Sequence, residues 1–202
     1  MKKVFFFKWD AEQYQAVTLP GMYYSFKRYY ELNGKHASDW EWIPPVFDYD
    51  KWTMDEVVAD AVSKRADVYM FTGYMWSWEV VKVVASAIHE ELPEAIIVLG
   101  GPNQGMTYTQ PMFWFKDHPY FTATCRPLEY GEYFVIDMLD AISEGNLDWS
   151  QVRGSHYRYG HGPVGDKKAF KFPSQMIRSS LDNAKAIAQF AQSKGKMLSY
   201  SF

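Results

Sequence analysis

TGYMWSWEVVKVVASAIHEELPEAIIVLGGPN, residues 72–103, is the stretch whose reading decides the fold. It reads as a strand end, a loop, a helix, a turn and a second strand closed by Gly-Gly-Pro. Val80, Val83, Val84, Ala87 and Ile88 recur at helical spacing and predict one apolar stripe. Residues 95–99 form an unbroken apolar run, as a strand buried on both faces requires. The loop between is unusual. Strand-to-helix loops are usually small and polar, yet this one carries Tyr74, Met75, Trp76 and Trp78.

Working outward, the same alternation continues. Residues 4–9 are a near-continuous apolar run and predict a first buried strand, followed by a polar loop that ends at Pro20-Gly21. Residues 22–32 carry helical spacing, stopped by Asn33-Gly34. Residues 38–45 alternate and break at Pro44-Pro45, predicting a short second strand. Thr53-Met-Asp-Glu56 matches a capping box. Its helix runs to about Lys64, with Val57, Val58, Ala61 and Val62 on one face. Residues 67–72 predict the third strand, 110–116 a poorer helix, 120–125 a fifth strand and 132–143 a helix stopped by Gly145.

Strands that alternate with helices at these lengths build βαβ units and a parallel sheet covered on both faces. The expected fold is α/β. It is a doubly wound, flavodoxin-like, mostly parallel sheet of about five strands flanked by helices, with a C-terminal extension. The expected division is a domain over 1–146 and an extension over 147–202. The extension is rich in Gly, Arg, His and Tyr and reads as a hairpin or linker. A helix capped by Ser179 or Ser180 follows, running to about Lys194, and then a short closing strand.

Composition narrows the function. Among 202 residues the net charge is −3, so no basic excess exists to grip a phosphate backbone, and nucleic-acid binding is not expected. The single cysteine, Cys125, excludes an internal disulfide, a Cys-rich metal site and an iron–sulfur cluster held by this chain alone. The N-terminal apolar run is too short for a signal peptide or a membrane span, so a cytoplasmic setting with no membrane association is expected. Aromatic residues make up 18 %, more than an ordinary core hides, so some should line a pocket or interface.

Doubly wound sheets bind ligands outside the carboxyl ends of their strands. Three loops at that edge stand out: Thr72, Gly73, Tyr74, Met75 and Trp76 after the third strand; Gly100, Gly101 and Pro102 after the fourth; Glu129, Tyr130, Gly131 and Glu132 after the fifth. Bare glycine backbone with aromatic rings suits a large planar ligand with a threading tail. Structural readings of these residues stay open beside this one. Gly-Gly-Pro also makes a tight turn, Trp76 and Trp78 also cover a sheet end, and Glu129 and Glu132 also suit a helix N-terminus.

Other residues carry weaker signals. His36, His89, His118, His156 and His161 show no metal-ligand spacing, and His89 should face solvent. His156 and His161 leave a metal or phosphate role open. Cys125 reads as a buried inert thiol. Arg153, Arg158, Lys167 and Lys168 read as a solvated basic face. No GxSxG, P-loop or GxGxxG occurs.

The order of these loops, with LPEAIIVLGGPN and then EYGE, resembles the cobalamin-binding N-terminal domain of cobalamin-dependent radical S-adenosylmethionine enzymes. The resemblance covers residues 4–145. Beyond it, VRGSHYRYG resembles the hairpin that follows this domain in the family. FPSQM resembles the segment leading into the catalytic barrel, and MLSYSF the first barrel strand.

The resemblance implies a vitamin B12 module that supports methyl transfer, with Thr72–Trp76 facing the lower side of the corrin. Gly100, Gly101 and Pro102 would border the nucleotide tail, and Glu129, Tyr130, Gly131 and Glu132 would close the tail cleft. The Asp-x-His-x-x-Gly motif of methionine-synthase-like cobalamin domains is absent, which implies base-off cobalamin with no protein histidine ligand. CxxxCxxC is also absent. An iron–sulfur cluster and S-adenosylmethionine would therefore require a radical S-adenosylmethionine catalytic domain or subunit supplied elsewhere. The chain would be the front part of a longer or split enzyme, or a stand-alone relic. No catalytic residue is assigned, and neither oligomeric state nor substrate is readable. Two alternatives differ in class: a cofactor-free protein-interaction domain, and a flavin or nucleotide binder, for which the loop after the first strand is a poor phosphate cradle.

Overall fold

The computed structural model describes residues 1–9, 16–18, 21–46, 49–101, 111–126, 131–165 and 197–199. The described elements are, in order, β1 (Lys2–Phe7), β2 (Ala16–Thr18), α1 (Gly21–Asn33), β3 (Trp40–Ile43), α2 (Met54–Ser63), β4 (Val68–Thr72) and α3 (Trp78–Glu91). Then come β5 (Ile96–Gly100), α4 (Pro111–Asp117), β6 (Ala123–Cys125), α5 (Gly131–Glu144), β7 (Ser155–Tyr157), β8 (Gly160–His161) and β9 (Met197–Ser199).

The main sheet has seven strands in the order β3-β1-β4-β5-β6-β7-β8. The first five are parallel, and their order is that of the flavodoxin-like doubly wound sheet. β7 and β8 are antiparallel additions, with Cys125 opposite Ser155 and His156 opposite His161. The hairpin expected around residues 152–160 thus continues the sheet, which has two more strands than the sequence suggested. The closing strand β9 pairs in parallel with β2 in a separate two-stranded sheet.

Alternation along the strands divides the core into two layers. On one face Phe5, Phe7, Tyr69, Phe71, Ile97 and Leu99 meet Val57 and Ala61 of α2 and Val81, Val84 and Ile88 of α3. On the other, Val4, Phe6, Val68, Met70 and Val98 meet Tyr23 and Tyr30 of α1 and Phe134, Met138 and Leu139 of α5. The capping box is formed as expected. The Thr53 hydroxyl accepts from the Glu56 N–H at 3.3 Å, and the Glu56 carboxylate accepts from the Thr53 N–H at 2.8 Å.

The α3 stripe is shifted from its predicted phase. Val81, Val84, Ala85 and Ile88 are buried, whereas Val83 is 47 % exposed. β6 is shorter than expected, because Tyr120 and Phe121 precede it in a turn packed against Trp114.

Asp140 of α5 ties the end of α1 down. It accepts from the Tyr30 hydroxyl at 2.9 Å and from the Lys35 and His36 N–H groups at 3.1 and 3.3 Å. Burial first, and the Asp140 hydrogen bond second, push the Tyr30 phenol far above its ordinary range. Among the described residues no helix is long and apolar enough to cross a membrane.

Candidate functional site

The loops after β4 and β5 lie side by side because their strands are adjacent, with Thr72 opposite Gly100. Ser77 shapes the first loop from inside. It is buried, its hydroxyl accepts from the Tyr74 N–H at 3.2 Å, and it lies 3.3 Å from the carbonyls of Thr72 and Tyr74, either of which can accept its proton. That arrangement turns the chain sharply and sets the aromatic residues on different sides.

The aromatic residues divide their labour. Trp78 turns inward, lying nearly parallel to Phe121 with centroids 6.3 Å apart and edge-on to His118 at 5.3 Å. Tyr74 and Trp76 form a flat stacked pair, 4.7 Å apart and 5° from parallel. Trp76 is 45 % exposed and Met75 81 %, so this pair and the thioether beside it present an apolar face at the rim. Partial burial raises the Tyr74 phenol above its ordinary range. Thus the ring that covers the sheet end and the stacked pair at the rim come from one short segment, residues 74–78.

The glycines also differ. Gly101 has φ +91°, and a Cβ there would sit 2.9 Å from the Thr72 methyl and 3.0 Å from the Gly73 carbonyl oxygen, so it serves the tight approach of the two loops. Gly100 is less tightly set: among the described residues a Cβ would meet the Phe71 carbonyl oxygen at an ordinary 3.8 Å. Gly131 opens α5 against α1, where a Cβ would come within 2.7 Å of the Phe26 ring. Glu132 in the first turn accepts from the Ser25 hydroxyl at 2.9 Å. Pro102, Glu129 and Tyr130 lie outside the described residues, as do Lys167, Lys168 and the predicted helix ending near Lys194.

The remaining candidates take definite places. His89 is exposed, as expected, and Cys125 is half-buried at the end of β6. His156 and His161 face each other across the hairpin with ring centroids 6.1 Å apart. Burial chiefly, then Arg126 and His161, lower the His156 imidazole to about 4. Among the described residues no three His, Cys, Asp or Glu side chains converge as a metal site. Arg153 is not a solvated cation: its guanidinium donates to both Asp137 oxygens, each at 2.7 Å, and lies 4.1 Å from the Tyr133 ring centre.

Sequence reasoning misses two residues. Ser77 carries no signal beyond its place in the loop. Lys8 is only 9 % exposed, one residue past the end of the interior strand β1. Its one signal is a lone cation inside VFFFKW, a run whose apolar character speaks only of a strand.

Among solved structures, the chain is similar to a cobalamin-dependent S-adenosylmethionine radical enzyme. That enzyme is OxsB. Its structure with aqua-cobalamin and S-adenosylmethionine bound matches with TM-score 0.61 and 14 % identity, covering 90 % of this chain and 25 % of that chain. The structure with aqua-cobalamin matches with TM-score 0.60 and 16 % identity over the same shares. The apo, selenomethionine-labelled structure matches with TM-score 0.52 and 16 % identity, covering 82 % of this chain and 22 % of that one. The chain spans about a quarter of OxsB, and at these identities the likeness is one of fold. No protein-family model and no curated protein matches the chain.

Proposed function

We propose that this chain is a corrinoid-binding module that works with a radical S-adenosylmethionine catalytic domain or subunit, in a cytoplasmic setting and in the service of methyl transfer. One conjunction carries the reading. A flavodoxin-order sheet similar to OxsB over nine-tenths of this chain has, at the carboxyl ends of adjacent β4 and β5, a flat stacked ring pair and Gly100.

These residues suit the group. A corrin is a broad, mostly apolar plane, and the Tyr74–Trp76 pair gives it a preformed bed of matching shape. When bound, the corrinoid supplies a cobalt centre that carries and donates methyl groups. The rings and the Met75 thioether exclude water from the lower face. Residues 9–21 contain no histidine, so this segment would supply no protein imidazole to a bound corrinoid. Gly100 and Gly101 would border the tail, and Gly131 and Glu132 its far side. The iron–sulfur cluster and S-adenosylmethionine belong to the partner, since Cys125 alone cannot hold a cluster.

The exposure of Met75 and Trp76 also favours a second reading, a cofactor-free rim that docks another protein. Incubation with hydroxocobalamin, desalting and a visible spectrum separate the two. Corrin bands retained at about one per chain support the module, and a colourless protein supports the docking rim. Flavin mononucleotide in a parallel incubation should wash away.

A further inference from the structure

Three neighbouring strands bring a cation, a hydroxyl and a bare backbone level with one another at the ligand edge. Phe7 of β1 stands opposite Phe71 of β4, and Thr72 opposite Gly100 of β5. One residue past Phe7, Lys8 therefore comes level with Thr72 and Gly100. Alternation assigns them a common face. Phe7, Phe71 and Leu99 enter the α2–α3 layer, whereas Phe6, Met70 and Val98 enter the α1–α5 layer. Carried one step further, it turns Lys8, Thr72 and Gly100 toward the α1–α5 side.

This place is the topological switch point of the sheet. α1, which follows β1, packs on one face and α3, which follows β4, on the other, the arrangement beside which doubly wound sheets bind ligands. A lysine at 9 % exposure is uncommon, because burying an ammonium is costly unless it serves a partner. Lys8 also interacts with another group of the chain. Neutral amides of a corrin need only neutral donors. A compact point charge with three N–H donors, level with a hydroxyl and a glycine backbone, instead fits an anionic phosphate oxygen.

We propose that Lys8 is the phosphate-binding residue of this site, reading the phosphodiester of the ligand's nucleotide tail with Thr72 and the Gly100 backbone beside it. The inference rests on the corrinoid reading above and deepens it, since neither loop glycines nor rings supply a charge.

Cobalamin and cobinamide separate the two claims, because cobinamide has the ring and no phosphate. Uptake of each is titrated by visible absorbance for the wild type, Lys8→Met and Lys8→Arg, with circular dichroism confirming each fold. Loss of one charge-assisted contact should weaken cobalamin binding in Lys8→Met about tenfold to a hundredfold. Cobinamide binding should stay within about twofold, and Lys8→Arg should recover most of the cobalamin affinity. Equal losses for both ligands, or no loss for either, overturn the role of Lys8 while leaving the module intact. A wild type that binds neither ligand overturns the proposed function and this inference with it. If Lys8→Met fails to fold, Lys8→Arg decides: it must retain a preference for cobalamin over cobinamide, and loss of that preference overturns the proposal.

Discussion

The backbone N–H of Gly73 donates to the carbonyl of Gly100 at 2.8 Å, which stitches the loops after β4 and β5 together one residue beyond their last paired position. Gly101 follows in the left-handed region and folds back against Thr72 and Gly73. The rim is therefore one joined structure rather than two independent loops.

The two glycines should respond differently to an added methyl. Gly101→Ala forces φ +91° on a side chain and a 2.9 Å approach to Thr72, and should cost about 1–3 kcal/mol. Gly100→Ala meets the Phe71 carbonyl oxygen at an ordinary 3.8 Å and should change stability by about 0.5 kcal/mol or less. Urea midpoints for both variants check this. Equal losses would show that the two positions are not distinct.

Trp76 is half-exposed and leans on Tyr74, so Trp76→Ala should alter stability by only about 0.5 kcal/mol. Hydroxocobalamin retained after desalting should nevertheless fall markedly. A variant that holds the corrin like the wild type would remove the ring pair from the site.

The Arg153–Asp137 pair fastens the hairpin entrance to α5, 16 residues back along the chain. It is bidentate and partly shielded, and Arg153 also covers Tyr133. Asp137→Asn should cost about 1–2 kcal/mol, and a double-mutant cycle with Arg153→Met should show coupling. Additive effects would mean that the contact contributes nothing.

How legible these features are in the sequence depends on their range. The strands at residues 4–9 and 95–99 stand out because burial on both faces leaves no polar alternation. The Thr53–Glu56 box is local and readable outright. In α3 seven of the nine residues 80–88 are apolar, so helical periodicity cannot fix the phase, and tertiary packing chooses Val81 over Val83. The pairing of β7 with β6, and the partners Asp137 for Arg153 and Phe26 for Gly131, depend on chain-distant neighbours that no local pattern encodes. At the site, the Tyr74–Trp76 platform and the glycine pair are visible as residue types. The inward turn of Trp78 depends on Ser77, and the burial of Lys8 on strand order.

His156 makes stability depend on acid. Its folded value of about 4 lies below the ordinary 6.5, so the unfolded chain binds the extra proton first as pH falls. This contribution is complete above pH 6.5 and is lost as pH falls toward 4. Urea unfolding across that window should show declining stability, with a shallower decline in His156→Gln. Identical slopes would place His156 in ordinary solvent.

Hydrogen–deuterium exchange with and without hydroxocobalamin tests the central claim most directly, because it reads where the ligand sits. The expected result is new protection concentrated at residues 72–78 and 100–101, with residues 91–95 at the opposite end of the sheet unchanged. Unchanged exchange at both rim loops, or protection appearing only at the opposite end, would contradict a corrinoid held at the carboxyl ends of β4 and β5.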